Sequence, residues 1–411
     1  MVGIDTTHAE TTQDFTQRLT TERAHIQKAA SSYQDPRCSV ALANDADLFH
    51  QSITLASNYP DVELLVIVGI GGSNLGTQAL LKARYGEAYR QNTLFLDTVD
   101  PDDTADALRV LENALSARKR VLVNIISKSG GTAETLANAK LVIGLLEKHE
   151  QPLETCVVAT TDAGSALDAF AQSHNIPTLN IPKRVGGRFS VFSPVGVFPL
   201  AVLGVDVQGL LTGAKQALND TLEGTDHAAA LAVAQYEHAL NKKNIVDFFV
   251  FAKRLDSIGA WYRQLLAESI GKNENVGITP TTSIGSTDLH SVAQLHFAGP
   301  KDKFFLLITL TDRTPVSSQE SVLDEVSPAI QGVSHNTLYD AIYQGTKQAF
   351  INEQLPFAEI TLTNANEQEL GYLLQTLMLQ VMYLGALFDV NPFDQPAVEL
   401  YKKETRDVLS R

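Results

Sequence analysis

Short apolar runs rich in β-branched residues alternate with longer amphipathic segments along most of this chain, starting near residue 62. Helical patterns fill the gaps between the runs. Runs of this length and composition are typical of strands. The first five are residues 62–69, 93–97, 120–127, 155–160 and 177–181. The alternation therefore predicts an α/β fold with a parallel sheet covered by helices on both faces.

The alternation restarts after a helical stretch at residues 206–240. Three further runs, at residues 244–251, 304–309 and 357–363, predict a second α/β unit that is less regular than the first. A chain of 411 residues is also too long for one compact core. The sequence thus predicts a helical N-terminal extension at 1–44, α/β domains at 45–205 and 206–390, and a C-terminal loop and helix at 391–411.

The overall charge restricts the partners of the chain. A net charge of −15, from 32 basic and 47 acidic residues, argues against nonspecific binding to nucleic acid or to an anionic membrane, because the mean field repels phosphodiester groups. An anionic substrate would therefore need a local pocket rich in cations or amides.

The cysteines and the apolar segments indicate the cellular compartment of the chain. Cys38 and Cys156 lie far apart and in no metal-ligand spacing, which predicts neither a disulfide framework nor a zinc module and fits a reducing cytoplasm. The amino-terminal residues lack a signal-peptide pattern, and the most apolar segments are short or interrupted by polar residues. We expect a cytoplasmic protein without a membrane span.

The first predicted strand runs into a glycine-rich turn at residues 69–76, Gly-Ile-Gly-Gly-Ser-Asn-Leu-Gly, which includes Gly72 and Ser73. Glycine lets the backbone approach a ligand closely, and the following helix offers free N–H groups to an anion. A dinucleotide fingerprint is one interpretation, because Asp97 ends the next strand, but the glycine spacing does not match it. A tight structural turn without a ligand is another.

A second strand-to-helix turn carries the hydroxyl side chains Ser127, Ser129 and Thr132, together with Lys128 and two glycines. Hydroxyl donors and exposed amides at a helix N-terminus make a receptor for a phosphate monoester. The residue order of a Walker loop is missing. One hydroxyl would suffice to cap the helix, which is the structural alternative, so three hydroxyls favour a phosphate site.

Arg188 follows Gly186 and Gly187 and precedes an apolar run. A guanidinium group stays protonated, which suits it to stabilise an oxyanion throughout a proton-transfer cycle. The structural alternative is an ion pair between domains.

The predicted helix at residues 256–272 places Glu268 on or beside an apolar stripe that includes Trp261 and Leu265. Gln264 lies one turn earlier on the same side. A carboxylate in such a partly apolar position is a candidate general base. A structural glutamate that is bonded to an arginine is the alternative.

Two further residues could exchange protons with hydroxyl groups. His290 lies in a polar loop, and its spacing from His296 is not that of a zinc-binding helix. Near the carboxyl terminus, Pro396 favours a helix start, so Lys402 is predicted about one and a half turns into a helix, at a fixed distance from Gln395. A solvated surface lysine is the alternative.

A phosphate receptor, a base, a fixed arginine, a histidine and a lysine suffice for aldose–ketose isomerisation of a sugar phosphate without a redox cofactor. Residues 185–190 and 393–402 fit the signatures of metal-independent glucose-6-phosphate isomerases with two SIS domains, residue for residue. The chain resembles this family from about residue 60 to residue 402. The resemblance implies two tandem SIS-type α/β/α sandwich domains with parallel sheets, and neither a metal nor a cofactor.

The resemblance also implies a role for each candidate residue. Glu268 would move a proton between C1 and C2 of the sugar, and Arg188 would stabilise the cis-enediol(ate). His290 and Lys402 would assist ring opening, and the family takes that histidine from the neighbouring subunit, which implies a homodimer. The residues that would bind the phosphate or line the sugar site are Gly72, Ser73, Ser127, Lys128, Ser129, Thr132, Gly187, Gln264 and Gln395. The implied reaction is the reversible conversion of glucose 6-phosphate and fructose 6-phosphate in glycolysis and gluconeogenesis.

Three other functions stay open from the sequence. The first is a dual phosphoglucose/phosphomannose isomerase, because the epimer preference cannot be read from the motifs. The second is a sugar-phosphate sensor that binds without reacting, although a sensor has no need for Glu268, His290 and Lys402 together. The third is a dinucleotide-dependent oxidoreductase, which the glycine spacing disfavours.

Overall fold

The computed structural model describes residues 2–9, 11–317, 319 and 321–410. The strands are β1 (Gly3–Asp5), β2 (Leu64–Val68), β3 (Thr93–Leu96), β4 (Val121–Ser127), β5 (Val157–Thr161), β6 (Thr178–Asn180), β7 (Ile245–Phe251), β8 (Thr279–Ile284), β9 (Lys303–Leu310) and β10 (Phe357–Leu362). The helices of the first half are α1 (Thr16–Ala29), α2 (Ala46–Ala56), α3 (Leu75–Tyr85), α4 (Pro101–Ser116), α5 (Ala133–Lys148), α6 (Leu153–Cys156), α7 (Ala166–Ser173) and α8 (Pro194–Val202). Those of the second half are α9 (Val207–Glu223), α10 (His227–Leu240), α11 (Asp256–Ile270), α12 (Ala293–Ala298), α13 (His335–Asn352), α14 (Glu367–Phe388) and α15 (Glu399–Leu409).

The first sheet contains five parallel strands in the order β3-β2-β4-β5-β6. Its strands match the five runs that the sequence predicted, with ends that differ by at most two residues. Every residue of β2 and β5 is buried, because helices cover the sheet on both faces. The predicted α/β architecture is confirmed for this half of the chain.

The second sheet has the order β1-β10-β9-β7-β8. Strands β7, β8, β9 and β10 are parallel, whereas β1 pairs with β10 in antiparallel orientation, with Gly3 opposite Thr361. The sequence predicted a helical N-terminal extension and parallel sheets, and it did not predict this antiparallel strand at residues 3–5. The sequence also missed β8, most of whose residues are half-buried or exposed at the sheet edge.

Helix α14 forms the centre of the second half of the molecule. It is long and apolar enough to cross a membrane, but 94% of its apolar window is buried inside the protein, as in a core helix. Its polar Gln380 donates to Gln235 at 2.7 Å and accepts from the Tyr262 hydroxyl at 3.3 Å, so its buried amide is satisfied.

In each sheet, the two strands that follow a central strand lie on opposite sides of it. In the first sheet β2 lies between β3 and β4, and in the second β7 lies between β8 and β9. Loops that follow the strands at such a point separate and leave a crevice beyond the carboxyl ends, where ligands of α/β proteins bind. The domain boundaries at 44/45, 205/206 and 390/391 stay predictions.

Candidate active site

The crevice of the first sheet is formed by the glycine-rich turn after β2 and the hydroxyl loop after β4. The two segments are adjacent, because a Cβ atom added to Gly69 would lie 3.0 Å from the carbonyl oxygen of Ile126. Asn74 closes the glycine turn and donates to the Asp97 carboxylate at 2.6 Å. Asp97 is thus engaged with a protein side chain, an arrangement that does not favour the dinucleotide interpretation.

The hydroxyl loop presents its side chains beside the first turn of α5. The hydroxyls of Ser127 and Thr132 are bonded to each other at 3.0 Å, and Ser129 accepts from the N–H of Gly131 at 3.3 Å. Thr132 occupies the N-cap position of α5, but its side chain makes no capping hydrogen bond. The capping alternative therefore does not account for these hydroxyls.

Lys128 has two partners outside the loop. Its ammonium group donates to the Asp162 carboxylate at 2.9 Å and to the carbonyl oxygen of Lys183 at 2.7 Å. The side chain is thus held beside the loop that follows β5, and its predicted contact with a phosphate stays a prediction.

The glycine turn packs directly against the second glycine motif. A Cβ atom added to Gly72 would lie 2.2 Å from the carbonyl carbon of Gly187 and 2.8 Å from the backbone nitrogen of Arg188. Ser190 donates to the carbonyl oxygens of both Gly187, at 2.7 Å, and Gly72, at 3.3 Å. This contact, which only glycine permits, brings Arg188 to the crevice of the first sheet.

The Arg188 guanidinium group is buried, and all of its N–H groups donate hydrogen bonds. Its Nε donates to Ser269 at 2.8 Å, and its Nη1 donates to Glu268 at 3.0 Å and to Gln395 at 2.9 Å. Its Nη2 donates to the carbonyl oxygens of Pro392 at 2.5 Å and Asp394 at 3.2 Å. Burial lowers the pKa of Arg188, and the negative charge of Glu268 opposes that change.

Glu268 lies in the last turn of α11 and is held by two predicted site residues. Its Oε2 accepts from Arg188, and its Oε1 accepts from the Gln264 amide at 3.1 Å. The Glu268 side chain is 31% exposed, whereas that of Arg188 is 2% exposed. The carboxylate therefore remains accessible from the crevice, while the arginine supports it from the protein side.

The C-terminal loop, defined here as residues 391–398, closes over Arg188. The Phe393 ring packs on the Phe189 ring with centroids 5.6 Å apart, so the two most specific sequence motifs contact each other. Lys272 holds the loop by donating to the Asp394 carbonyl and, at 3.1 Å, to its carboxylate. Burial lowers the pKa of Lys272, and the hydrogen bond to Asp394 opposes that change.

Sequence reasoning missed the supporting roles of Ser269 and Lys272, although both lie in the segment that contains Glu268. Ser269 is buried directly after the carboxylate, and Lys272 follows the glycine that ends α11. Their positions beside a candidate base were the available signal.

His290 and Lys402 are not brought to this cluster within one chain. His290 is exposed at the end of the short 3-10 helix Thr287–His290, and its side chain makes no hydrogen bond to another described residue. Lys402 lies in the first turn of α15, where it pairs with Glu399 at 2.9 Å on the surface. The helix begins at Glu399, later than the sequence predicted. The predicted catalytic roles of both residues stay predictions.

The comparison with known families identifies the chain. A family model for phosphoglucose isomerase matches residues 55–295, which include the glycine turn, the hydroxyl loop, Arg188, Glu268 and His290. The chain belongs to the phosphoglucose isomerase family. It is therefore an isomerase, as the sequence predicted.

Relatives in this phosphoglucose isomerase family are similar over most of their length. A probable glucose-6-phosphate isomerase of Haloarcula marismortui is 35% identical over 369 residues, which cover 89% of this chain and 82% of the relative. A glucose-6-phosphate isomerase of Thermus thermophilus is 36% identical over 358 residues, which cover 85% of each chain.

Solved structures show the same fold. The crystal structure of a hypothetical protein from Thermus thermophilus has a TM-score of 0.84 at 31% identity and covers 100% of both chains. A glucose-6-phosphate isomerase from Chlamydia trachomatis has a TM-score of 0.78 at 19% identity, with 96% of this chain and 85% of that chain covered. These similarities confirm that the two sheets form tandem SIS-type α/β/α domains, as predicted.

Proposed function

We propose that this member of the phosphoglucose isomerase family converts glucose 6-phosphate and fructose 6-phosphate reversibly. The arrangement that carries the proposal is the accessible Glu268 carboxylate, which is held between Arg188 and Gln264 at the crevice of the first sheet. A base, a fixed cation and a phosphate receptor are the groups that an aldose–ketose isomerisation requires. Family membership supports the same substrates.

Glu268 takes the proton from C2 of the open-chain aldose and delivers it to C1, through a cis-enediol(ate). The electron pair of the broken C2–H bond forms the C1=C2 double bond, and the π pair of the C1 carbonyl moves to its oxygen, which becomes an enediolate oxygen. A proton then moves from the C2 hydroxyl to this oxygen, and the carbonyl re-forms at C2 when Glu268 protonates C1. Arg188 stabilises the negative charge of the enediolate. All five N–H groups of Arg188 already donate hydrogen bonds within the protein. The guanidinium group therefore stabilises the enediolate oxygen electrostatically at short range, or it breaks one hydrogen bond to the C-terminal loop and donates to that oxygen instead.

The phosphate of the substrate binds at the hydroxyl loop. Ser127, Ser129 and Thr132 supply hydroxyl donors, and the uncapped N-terminus of α5 supplies backbone N–H groups. Ser73, Gly72 and Gly187 line the sugar chain, and the contact between Gly72 and Gly187 next to Arg188 supports this assignment. Binding energy from the phosphate, remote from C1 and C2, positions the reacting carbons against the base.

His290 and Lys402 open the sugar ring before the proton transfer, with His290 supplied by the second subunit of a homodimer. The exposed position of His290 supports this assignment. Helix α15 supports the dimer, because its apolar residues Leu400, Tyr401, Val408 and Leu409 lie on one half of the helix and are all exposed in the single chain. A partner chain would bury this surface.

The reaction proceeds without a metal or a redox cofactor, and we place the enzyme in the cytoplasm, in glycolysis and gluconeogenesis. The two cysteines are free and buried, which fits a reducing compartment. Burial raises the pKa of both thiols to about 11, so both stay protonated near neutral pH.

A coupled assay of the purified chain with fructose 6-phosphate tests the proposal. We expect formation of glucose 6-phosphate, with the rate unchanged by EDTA. No turnover of fructose 6-phosphate would reject the proposal, and loss of activity with EDTA would reject the metal-free mechanism. Sedimentation equilibrium of the same sample tests the dimer, and a monomer at the assay concentration would reject the shared histidine.

A further inference from the structure

The second sheet also has a crevice at the point where its strand order reverses. A cavity of about 840 Å³ lies there, and the loops after β7 and β9 contribute Lys253, Arg254, Asp312, Arg313 and Thr314 to its walls. Cavities that hold small molecules have volumes of roughly 300–1,000 Å³. None of the candidate active-site residues lines it. It is therefore a separate cavity, in the place that corresponds to the phosphate receptor of the first sheet.

The walls of this cavity are cationic although the chain is strongly acidic. Arg84, Lys253, Arg254 and Arg313 line it together with the carboxylate of Asp312. Outside the wall, Arg84 pairs with Glu367 at 2.9 Å and Arg313 pairs with Asp340. Lys253 and Arg254 are exposed, and neither side chain forms a hydrogen bond or an ion pair with another described residue. In a chain with a net charge of −15, such a local cluster attracts anions.

Arg313 is fixed within the cavity wall. Its Nη2 donates to the Thr309 hydroxyl at 2.7 Å, its Nη1 pairs with Asp340, and its guanidinium lies 5.0 Å from the centroid of the Tyr339 ring. Its Nε is buried and has no hydrogen-bond partner among the described residues. The arginine is thus held in place while its Nε–H stays without a hydrogen-bond partner among the described residues.

One part of the remaining wall is apolar and aromatic. Leu310, Pro315, Leu338 and Ile342 line it together with the Tyr339 ring. A site for a bare inorganic ion does not need such a wall, whereas a phosphate ester has both an anionic end and an organic body.

We propose that this cavity binds a phosphate ester that is not a substrate. The phosphate groups lie against Lys253 and Arg254, and the organic part lies against the apolar wall. Ser286 also lines the cavity and directly precedes the 3-10 helix that carries His290, so an occupied cavity contacts the loop of the predicted ring-opening histidine. A nucleotide and a sugar bisphosphate share this chemistry.

Isothermal titration calorimetry of the full chain with ATP, fructose 1,6-bisphosphate and pyrophosphate tests the proposal. The cavity variant carries Lys253→Gln with Arg254→Gln. Its matched control carries Lys242→Gln with Lys243→Gln, which removes two adjacent cations just before β7, at the opposite end of that strand. A third variant, Ser129→Ala with Thr132→Ala, weakens the predicted substrate-phosphate site. Thermal unfolding of each variant verifies that it is folded.

We expect at least one of the two esters to bind the wild type and to bind the cavity variant about tenfold more weakly or worse, as for the loss of one favourable charge contact. Binding by the control and by the third variant should stay within twofold of the wild type. Binding of ATP alone would assign the site to nucleotides, and binding of fructose 1,6-bisphosphate alone to sugar phosphates. Absence of binding by both esters, binding of pyrophosphate only, or weakening only in the third variant would overturn the proposal, whatever the isomerase assay shows.

Discussion

The Nη1 atom of Arg188 donates to Oε2 of Glu268 at 3.0 Å, so the proposed stabiliser of the intermediate and the proposed base are direct neighbours. The two structural alternatives for these residues, an interdomain ion pair and an arginine-bonded glutamate, describe the same contact. The contact does not exclude catalysis, because the carboxylate is partly exposed and the arginine is not. A buried cation behind an accessible carboxylate fixes the orientation of that carboxylate in the site.

Glu268→Gln removes the base but keeps an oxygen that can accept from Arg188. We expect kcat to fall by at least ~10², the scale for loss of a positioned acid–base group, with little change in the melting temperature. Glu274→Gln, at an exposed position beyond the end of α11, is the matched control and should behave like the wild type. A kcat within twofold of the wild type for Glu268→Gln would remove this residue from the mechanism.

Gly72→Ala places a methyl group 2.2 Å from the carbonyl carbon of Gly187, so one of the two backbones must move. We expect a loss of about 1–3 kcal/mol in the free energy of unfolding, as for other overpacked sites. Activity should fall as well, because the same contact positions Arg188. Gly144→Ala in α5, where nothing lies within 4 Å of the new atom, is the control and should leave both quantities unchanged or raise stability. Equal stability and activity of the two variants would contradict the proposed role of the Gly72–Gly187 contact.

Ser129→Ala removes one hydroxyl of the proposed phosphate receptor. We expect KM for fructose 6-phosphate to rise about tenfold, while kcat changes less, because a phosphate contact contributes about 1.4 kcal/mol to substrate and transition state alike. Ser116→Ala, at the exposed end of α4, is the control. Steady-state kinetics would refute the assignment if KM stayed constant and only kcat fell.

Lys402 and Lys403 are adjacent on α15, and only the first is assigned to ring opening. We expect Lys402→Ala to lower kcat/KM about tenfold or more, as for loss of an acid–base group, and Lys403→Ala to have no measurable effect. Lys402 pairs with Glu399 in the single chain, so the assignment requires that this surface pair opens when substrate binds. Identical kinetics of the two variants would show that Lys402 is a solvated surface residue without a role in ring opening.

The carboxylate of Glu369 makes the fold sensitive to acid. Burial alone would raise its pKa, but hydrogen bonds, including those from the backbone N–H groups of Thr363 and Asn364, lower the pKa from 4.5 to about 2. Because the folded-state pKa is the lower one, the stabilisation is fully present above pH 4.5 and is lost as the pH falls from 4.5 towards 2. Urea unfolding between pH 6 and pH 3 should show this loss in the wild type, with a shallower slope in Glu369→Gln. Parallel profiles for the two proteins would exclude Glu369 as the cause.

Much of the fold was predictable because the central strands are continuous apolar runs with helical patterns between them. Strand β8 was missed because its sequence, Thr-Pro-Thr-Thr-Ser-Ile, lies at a sheet edge and buries little apolar surface. Strand β1 was missed because a three-residue segment carries no periodic pattern, and its partner β10 is distant in sequence.

The candidate site was predictable where one short motif contains all the polar side chains involved, as for the hydroxyl loop or for Glu268 with Gln264. The five hydrogen bonds of Arg188 were not predictable, because two of the acceptors are the main-chain carbonyl oxygens of Pro392 and Asp394. Any residue type could supply such an acceptor. The ion pair between Lys402 and Glu399 could not be predicted from the sequence either, because it depends on the residue at which α15 begins.

The pairing of β1 with β10 constrains how the chain can mature during synthesis. Gly3 and Thr361 are partners, so β1 leaves the ribosome long before β10 and must wait unpaired until β10 has been made. Until β1 adds to it, the outer edge of β10 has no strand beside it, and an uncovered edge strand can pair with other chains. Strand β1 therefore closes this edge of the second sheet only after β10 has formed.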